Sequence, residues 1–443
     1  MGLFDALGAA GNSLTAYSFG IGVRGNNVGE ASSPGFRRRE AILGSLAGGG
    51  ARVVQLKRSS DLFVESRALG LTGSEGFASA RLSGLVSAEN SLGAIGSEGI
   101  AGSLSRFFSG FTELGARPDD PALRNDVLSR AEELAASFRR TAQDLVATQR
   151  DLDGQIRESL PEANRLIDEL GALNSSLSKS PGPELLDRRD RALADLARLT
   201  GATARFDNLG RVTVSIGGMG LVSGEATRHL VGRADPSGFT EVSLESGGLL
   251  GTQLGGEVGG WQAARDGGAA SALVELDQLA FDISTAVNSV HSAGVGLDGV
   301  GGRNLFVASA TVAGAAIGMS VDVSVAGHPL ALAAGSSGAA GDGALANQLA
   351  ALMEAPIASS GTRSPIEAMA SLFARVGQDV RSATETHERV TTQRDSVTRL
   401  ADAVGGVSIE EEMLALTRLE HGHQAVTRVI QTIDGLLEDL IRR

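Results

Sequence analysis

Apolar residues recur at intervals of three and four at both ends of this chain. Near the N-terminus the repeat comprises Leu3, Leu7, Ala10, Leu14, Tyr17 and Ile21. Near the C-terminus it comprises Ile409, Met413, Leu416, Leu419, His423, Val426, Ile430, Ile433, Leu437 and Leu440. Such spacing is typical of a helix that packs on another helix along one stripe. Because a single short helix is marginal in water, we predict that the two termini pair with each other.

Helical patterns of the same kind recur in the interior. They predict helices over 121–159, from Pro161 to Leu177, around 273–287, and from Pro365 towards Leu400. Proline is favoured in the first turn of a helix, so Pro161 is read as the start of a new one. The chain has 60 glycines and only 4% aromatic residues, a composition that fits long helices with glycine-rich connections.

Alternation with period two replaces the helical pattern between residues 201 and 255. Val212, Val214 and Ile216 fall on one face of a strand there, which predicts a small β domain inserted between helices. A glycine-rich, weakly β connector is expected at about 305–345 within the helical domain.

The expected fold class is therefore mainly α with an inserted β domain, in which long antiparallel helices pack as in a coiled coil. Because the ends pair, the domains are expected to be discontinuous. The predicted division is a terminal domain of residues 1–45 and 406–443, a helical domain of 46–200 and 256–405, and a β domain of 201–255.

Charge and composition exclude several classes of function. The net charge of −13 argues against nucleic acid as the main partner, and the short run Arg37–Arg39 is expected to be ion-paired or solvated. The chain has no cysteine, so no redox or thiolate metal chemistry is expected. The N-terminus carries Asp5 and no early basic residue, which is unlike a cleaved secretory signal. No apolar run is long enough for membrane insertion.

Three short motifs suggest chemistry, but each has a structural explanation. Gly294–Gly299 matches G-x-G-x-x-G, yet it follows a helical pattern instead of a strand, so a connector is expected and not a dinucleotide site. His421 and His423 lie two apart on a helix and point in different directions, which disfavours a shared metal. Glu410–Glu412 follows Ser408 as in a helix N-terminus with a capping box. We therefore expect no catalytic residues, cofactor or metal.

The segment after the first repeat carries a recognisable motif, Asn26-Asn27-Val28-Gly29-Glu30-Ala31-Ser32-Ser33-Pro34-Gly35-Phe36 with Arg39. It resembles the N-terminal motif of bacterial flagellar rod, hook and hook-associated proteins, N-N-[IV]-x-N-x-x-T-x-G-[YF]-x-R. The positions that correspond to the motif are Asn26, Asn27, Ser33, Gly35, Phe36 and Arg39. The departures are Glu30 in place of Asn and Ser33 in place of Thr.

Four later stretches resemble the hook-associated protein 1 family of the hook–filament junction in particular. They are Leu185–Asp190 with L-L-D-x-R-D, His291–Phe306, Gly341–Leu352, and Glu411–Leu440 with E-E-x-x-x-L. Gly343 and His423 depart from the family pattern, which has Asn and an aromatic residue there. The resemblance follows the chain in order over nearly its whole length.

The resemblance implies a non-enzymatic structural protein of the flagellum, outside the cell, exported through the flagellar type III apparatus without a cleaved signal. It also implies that the domains are concentric and that the assembly interface is the set of terminal repeat residues. The implied partners are further copies of the chain, the hook protein, the second junction protein and a cytoplasmic export chaperone. Alternatives are a hook or distal rod protein of the same axial family and, from another class, a secreted enzyme or adhesin on flagellar-like termini.

Overall fold

Helices make up most of the structure, a computed structural model that describes residues 2–33, 35–47, 49–93 and 99–442. The longer helices are α1 (Leu3–Gly29), α2 (Leu62–Ser91), α3 (Ile100–Ala116), α4 (Pro121–Lys179), α5 (Pro183–Thr200), α6 (Gly256–Ala263), α7 (Ala270–His291), α9 (Ala344–Ala351), α10 (Pro365–Gly405) and α11 (Ile409–Ile441), with one short turn, α8 (Ala315–Gly318). The strands are β1 (Arg39–Ser45), β2 (Ala51–Arg58), β3 (Thr203–Phe206), β4 (Val212–Ile216), β5 (Met219–Ser223), β6 (Ala226–Thr227), β7 (Leu230–Ala234), β8 (Thr240–Leu244), β9 (Val295–Gly296) and β10 (Ala333–Gly335). The mainly α fold with an inserted β domain is confirmed.

Helix α4 is a single helix of 59 residues with Pro161 inside it. The prediction that one helix ends near Ser159 and another begins at Pro161 was wrong. An internal proline costs about 3 kcal/mol, whereas each fully buried aliphatic side chain contributes about 1.5–3 kcal/mol. The stripe continues through Ile156, Leu160 and Ala163 without a break, so packing on both sides of the proline outweighs its cost.

Helix α1 runs past Ile21, the last residue of the apolar repeat, and ends at Gly29. Asn27 in this last turn is buried. Its Nδ2 donates a hydrogen bond to the Arg39 carbonyl (2.8 Å), and its Oδ1 accepts one from the Arg39 amide (3.1 Å). This tertiary contact keeps the last turn of α1 helical, although the local residue preferences disfavour a helix there.

A β-hairpin that the sequence analysis did not predict follows α1. Strands β1 and β2 pair antiparallel from Arg39 opposite Arg58 to Ser45 opposite Ala51. The hairpin lies along α1, where the Ala51 amide donates to the Ser13 hydroxyl (2.8 Å). It spans residue 45, where the boundary between terminal and helical domains was placed, and the division into domains stays a prediction.

The β domain lies between α5 and α6, as predicted. One sheet has the order β3-β4-β5-β6, and β7 pairs with β8. Val212, Val214 and Ile216 are all buried on the predicted face. Asp153 of α4 links the β domain to the helices. Its carboxylate accepts a hydrogen bond from the Thr240 amide (2.6 Å) and forms an ion pair with the buried Arg265 (2.6 Å).

The connector after α7 has less β structure than expected, with only β10 of three residues inside 305–345. Buried side chains of α7 hold it instead. His291 Nδ1 lies 2.8 Å from the Arg303 carbonyl and Nε2 lies 3.0 Å from the Ala333 amide. Only a neutral ring with the proton on Nδ1 satisfies both groups, and burial lowers the pKa of His291 accordingly.

The other predicted helices are present. Helix α7 covers 273–287 and α10 begins at Pro365. Ser364 and Glu367 form a capping box at the start of α10, in which the Ser364 hydroxyl accepts from the Glu367 amide (3.3 Å) and the Glu367 carboxylate accepts from the Ser364 amide (2.9 Å). Gly294–Gly299 forms β9 and a turn after α7, consistent with a connector.

Candidate functional site: the terminal helix pair and its arginine clamp

Helices α1 and α11 pack antiparallel and join the two ends of the chain. Gly20 lies under Leu419, since a Cβ built on Gly20 would be 3.2 Å from the leucine. Gly422 lies against the Tyr17 ring, where an added Cβ would be 2.8 Å from the ring. Each glycine thus admits one large side chain of the opposite helix. The predicted pairing of the termini is present, and we call α1, α11 and the β1–β2 hairpin the arm.

The residues buried most deeply on α1 are small. They are Ala10, Ser13, Ala16, Gly20, Val23 and Asn27. The predicted repeat residues Leu3, Leu7, Leu14, Tyr17 and Ile21 flank this stripe and are half-buried. Small residues at the contact allow a close approach of the two helices, and the larger ones then cover its sides.

The predicted repeat residues on α11 differ in how deeply they are buried. Ile433 is buried, while Leu416, Leu419, His423, Val426, Ile430 and Leu437 are half-buried and Ile409, Met413 and Leu440 are exposed. Further apolar side chains of the arm are exposed as well. These are Phe4, Phe19, Leu414, Val429, Leu436 and Ile441. Helix α11 therefore carries more apolar surface than α1 alone covers.

A buried ionic contact closes the pair near the end of α1. The Glu412 side chain is fully buried, and its two oxygens accept from Arg24 Nη1 (2.8 Å) and Asn27 Nδ2 (2.8 Å). Its neighbour Glu411 accepts from Arg38 (3.1 Å), and the Ser408 hydroxyl caps α11. Glu410–Glu412 lies at the start of a helix, as predicted, but no pattern in the sequence indicated that Glu412 joins the termini.

The motif residues begin with Asn26 and Asn27 in the last turn of α1, continue through the loop that follows, and end with Arg39 at the start of β1. Asn26 and Ser33 are exposed, and the Ser33 hydroxyl donates to the Glu30 carboxylate. Gly35 has a φ of 77°, which explains the glycine there. The guanidinium of Arg39 lies 4.9 Å from the centroid of the Phe36 ring. Pro34 lies outside the described residues.

The three consecutive arginines of the motif each bind a different part of the molecule, and we call them the arginine clamp. Arg37 pairs with Asp402 of α10 (2.9 Å), Arg38 with Glu411 of α11, and Arg39 with Asp187 of α5 (2.7 Å). The expectation of an ion-paired run is confirmed. The clamp thereby fixes the arm to the helical body.

The Leu185–Asp190 stretch supplies one carboxylate of the clamp, Asp187, which also binds a buried arginine of the hairpin. Arg58 of β2 binds Asp187 (2.8 Å) and Asp190 (2.5 Å), and its side chain is buried. Glu65 of α2 lies 3.6 Å from Arg58. Burial, and then the nearby Asp190 carboxylate, raises the pKa of Glu65 above its usual range. Hydrophobic periodicity gave no signal for this cluster, because ion pairs have no period.

The two histidines of α11 differ in exposure. His421 is exposed and His423 is half-buried on the side of the pair. Over the described residues, no group of three or more His, Asp or Glu side chains is placed to hold a metal ion. The same part of the chain contains no helix with the length and apolarity needed to cross a membrane.

Comparison with known proteins identifies similar chains. A family model described as the helical domain of flagellar hook-associated protein FlgK matches residues 85–306. Flagellar hook-associated protein 1 of Bacillus subtilis (strain 168) is 23% identical over 495 residues, which cover 99% of this chain and 98% of the relative.

A second relative and a solved structure agree with this match. The protein of the same name from Salmonella typhimurium is 25% identical over 323 residues, but these cover 67% of this chain and only 58% of the relative. The structure of the flagellar hook junction protein FlgK from Burkholderia pseudomallei aligns with a TM-score of 0.69 at 15% identity, covering 76% of this chain and all of that one. At that identity the structural match supports the fold alone.

Proposed function

Since this chain belongs to the FlgK family of flagellar hook-associated proteins, structural proteins of the hook–filament junction, we propose that it builds that junction by self-assembly through its arm. The assembly interface comprises the terminal repeat residues, with the half-buried members holding α1 against α11. The exposed members, including Met413 and Leu440, contact neighbouring copies. The motif residues Asn27 and Arg39 hold each arm at a fixed angle to its body.

The observation that carries this proposal is the incomplete burial of the arm. Its two helices come from opposite ends of the chain and bury mainly small side chains between them. Exposed Phe4, Leu436 and Ile441 lie towards its far end. Contiguous apolar surface of this kind marks an interface in soluble proteins. Copies stacked side by side would cover it.

The remaining parts follow from this arrangement. The arms form the inner tube, the long helices α2, α4 and α10 form the next shell, and the β domain lies outside. The partners are copies of the chain, the hook protein on one side and the second junction protein on the other. A cytoplasmic chaperone covers α11 before export through the flagellar type III apparatus. We assign no enzymatic activity, as the relatives are structural proteins of the flagellum.

A gene deletion tests the proposal. Cells without the chain should form hooks that carry no filament, and flagellin should accumulate in the medium. The intact gene should restore filaments, whereas Leu419→Glu should not, because it places a carboxylate against Gly20 at the centre of the helix pair. Immunogold labelling of isolated hooks should find the protein at their tips. Normal filaments on the deletion strain would contradict the proposal.

A further inference from the structure

A buried carboxylate that accepts no hydrogen bond lies where the arm joins the body. It belongs to Glu65 in the first turn of α2, and its side chain is 11% exposed. Arg58 Nη1 lies 3.6 Å and Arg37 Nε lies 3.8 Å from Oε1 of this carboxylate. Both distances exceed the usual hydrogen-bond range of about 2.7–3.2 Å, and neither oxygen accepts a hydrogen bond from any described residue. A buried acceptor in this state costs free energy that a hydrogen bond would recover.

The two arginines near Glu65 differ in how firmly they are held. Arg58 donates two hydrogen bonds to carboxylates of α5, and its side chain is almost fully buried. Arg37 Nη1 donates to Asp402 (2.9 Å), whose side chain is 59% exposed. An exposed ion pair contributes little, because water solvates both groups when they separate. Arg37 and Glu65 also line one cleft of about 450 Å³. Arg37 can therefore exchange Asp402 for Glu65 at a small cost.

The chain passes between body and arm twice, once before α2 and once after α10, and Arg38 joins the two crossings. Its amide donates to the Gly405 carbonyl (2.8 Å), and its carbonyl accepts from the Ser59 amide (2.8 Å). We call these three residues the pivot. Helix α11 starts beside the pivot and has 33 residues, which span about 50 Å at 1.5 Å per residue. A shift of about 1 Å at the pivot is enough to bring Arg37 within hydrogen-bond distance of Glu65, and it moves the far end of the arm by several ångströms.

We propose that Glu65 is a charge-dependent latch that sets the angle between arm and body. When it is ionised, Glu65 binds Arg37 and draws the arm towards α2, which we call the closed position. When it is protonated, it releases Arg37 to Asp402, and this open position is the one described above. The latch acts within a single copy, so the inference goes beyond the proposed junction function and does not depend on it.

Charged groups from each element packed against Glu65 determine how the latch responds to pH. They are Arg37 of the loop, Arg58 of β2, Asp187, Arg189 and Asp190 of α5, and Asp402 of α10. Arg191 and Asp195 of α5 line the same cleft, while on α2 itself Asp61 caps the helix and Arg67 is exposed.

The two positions of the latch favour different charge states of Glu65. Burial, and then the Asp190 carboxylate, raises the pKa of Glu65 in the open position. Hydrogen bonds from a guanidinium stabilise the ionised form and lower this pKa in the closed position. Because the open position binds the proton more tightly, acidification shifts the latch from closed to open.

Distances between spin labels test the latch, since the chain has no cysteine of its own. Nitroxide labels on Gln431→Cys of α11 and Gln155→Cys of α4, both exposed positions, report the arm relative to the body in the purified chain. The control pair is Gln155→Cys with Thr392→Cys of α10, which lies within the body. The arm-to-body distance should shift by several ångströms between about pH 7.5 and 5, a range above the ordinary pKa of glutamate. The control distance should stay constant.

Two variants separate the latch from other titrating groups. Glu65→Gln keeps the shape of the side chain but cannot ionise, so its arm-to-body distance should hold the low-pH value throughout the range. Asp402→Ala removes the alternative partner of Arg37 at an exposed site that tolerates substitution. It should raise the ratio of closed to open molecules at the high-pH end by about two- to fivefold, as expected for the loss of one exposed ion pair.

Four outcomes would overturn the proposal. They are a constant distance in the otherwise native chain, an equal shift in Glu65→Gln, an equal shift in the control pair, and a closed fraction that Asp402→Ala leaves unchanged. None of them bears on the junction function, which the gene deletion tests separately.

Discussion

The helical body and the arm bury their apolar side chains to different degrees. In the body, Phe107, Phe108 and Phe111 of α3 are almost fully buried, with ring centroids of Phe107 and Phe108 5.0 Å apart. Buried Phe138 and Phe306 complete this aromatic group from α4 and the connector. In the arm, the buried hydrophobic residues are Ala10, Ala16, Val23 and Ile433. The body supplies its own core, whereas the arm leaves much of its apolar surface uncovered.

This difference shows how one chain can be both a stable domain and an assembly element. A dense core makes the body independent of partners. A thin contact between two long helices leaves their outer faces exposed, and the ion pairs of the clamp fasten the arm to the body. Each prediction below compares a change in one region with a change in the other.

The largest effect is expected in the body. Phe107→Ala should destabilise the purified monomer by about 3–5 kcal/mol, because it opens a cavity among buried rings. Leu419→Ala in the arm should cost below about 1.5 kcal/mol, since a half-buried leucine contributes only part of the full value. Denaturant unfolding measures the first effect and amide exchange of α11 the second. Equal costs would show that the arm is packed like the body.

Breaking the buried contact of the arm should have the next largest effect. Glu412→Ala removes one acceptor each from Arg24 and Asn27, at a cost of about 1–3 kcal/mol. The neighbouring exposed Glu410→Ala is the matched control and should stay within about 0.5 kcal/mol in the monomer. Amide exchange of α1 and α11 should accelerate in the first variant alone. If both variants exchange alike, Glu412 does not join the helices.

A pH dependence should distinguish the body from the arm. The pKa of His291 is lowered in the folded state, so the unfolded chain binds the proton first as the pH falls through about 6.5. Stability of the body should therefore decline below about pH 6.5, as the Ala333 amide loses its acceptor. His291→Asn should reduce this decline, whereas His421→Asn on the exposed face of α11 should not. Thermal unfolding of both variants between about pH 7.5 and 5.5, a range around that pKa, would measure the decline in stability. Identical profiles for the two variants would contradict the role of His291.

The smallest effect concerns the exposed glycines of α1. Gly8, Gly11, Gly22, Gly25 and Gly29 have open space where a Cβ would lie. Gly22→Ala should thus stabilise the free helix by about 0.5–1 kcal/mol, through lower chain entropy in the unfolded state. Gly20→Ala is the control, because its methyl group would contact Leu419, and it should not stabilise the helix. Circular dichroism of the monomer at rising temperature measures this change, and a destabilised Gly22→Ala would show that its outer face is already packed.

Patterns of apolar residues and local turn chemistry determined much of this protein from its sequence. The pairing of the termini, the β domain at 201–255 and the start of α10 at Pro365 follow from spacing and capping, which act within a few residues. The ordered motifs gave the family. These features depend on residues that are close together in the sequence, so the sequence alone can show them.

Other features depend on contacts between segments that are far apart in the sequence. Pro161 stays inside α4 because both sides of it are packed, and Asn27 remains helical because Arg39 and Glu412 bind its amide. The β1–β2 hairpin depends on its contact with α1, and the arginine clamp on carboxylates from α5, α10 and α11. In each case a tertiary contact of a few kcal/mol outweighs a local preference of similar or smaller size, and only the folded chain brings those partners together.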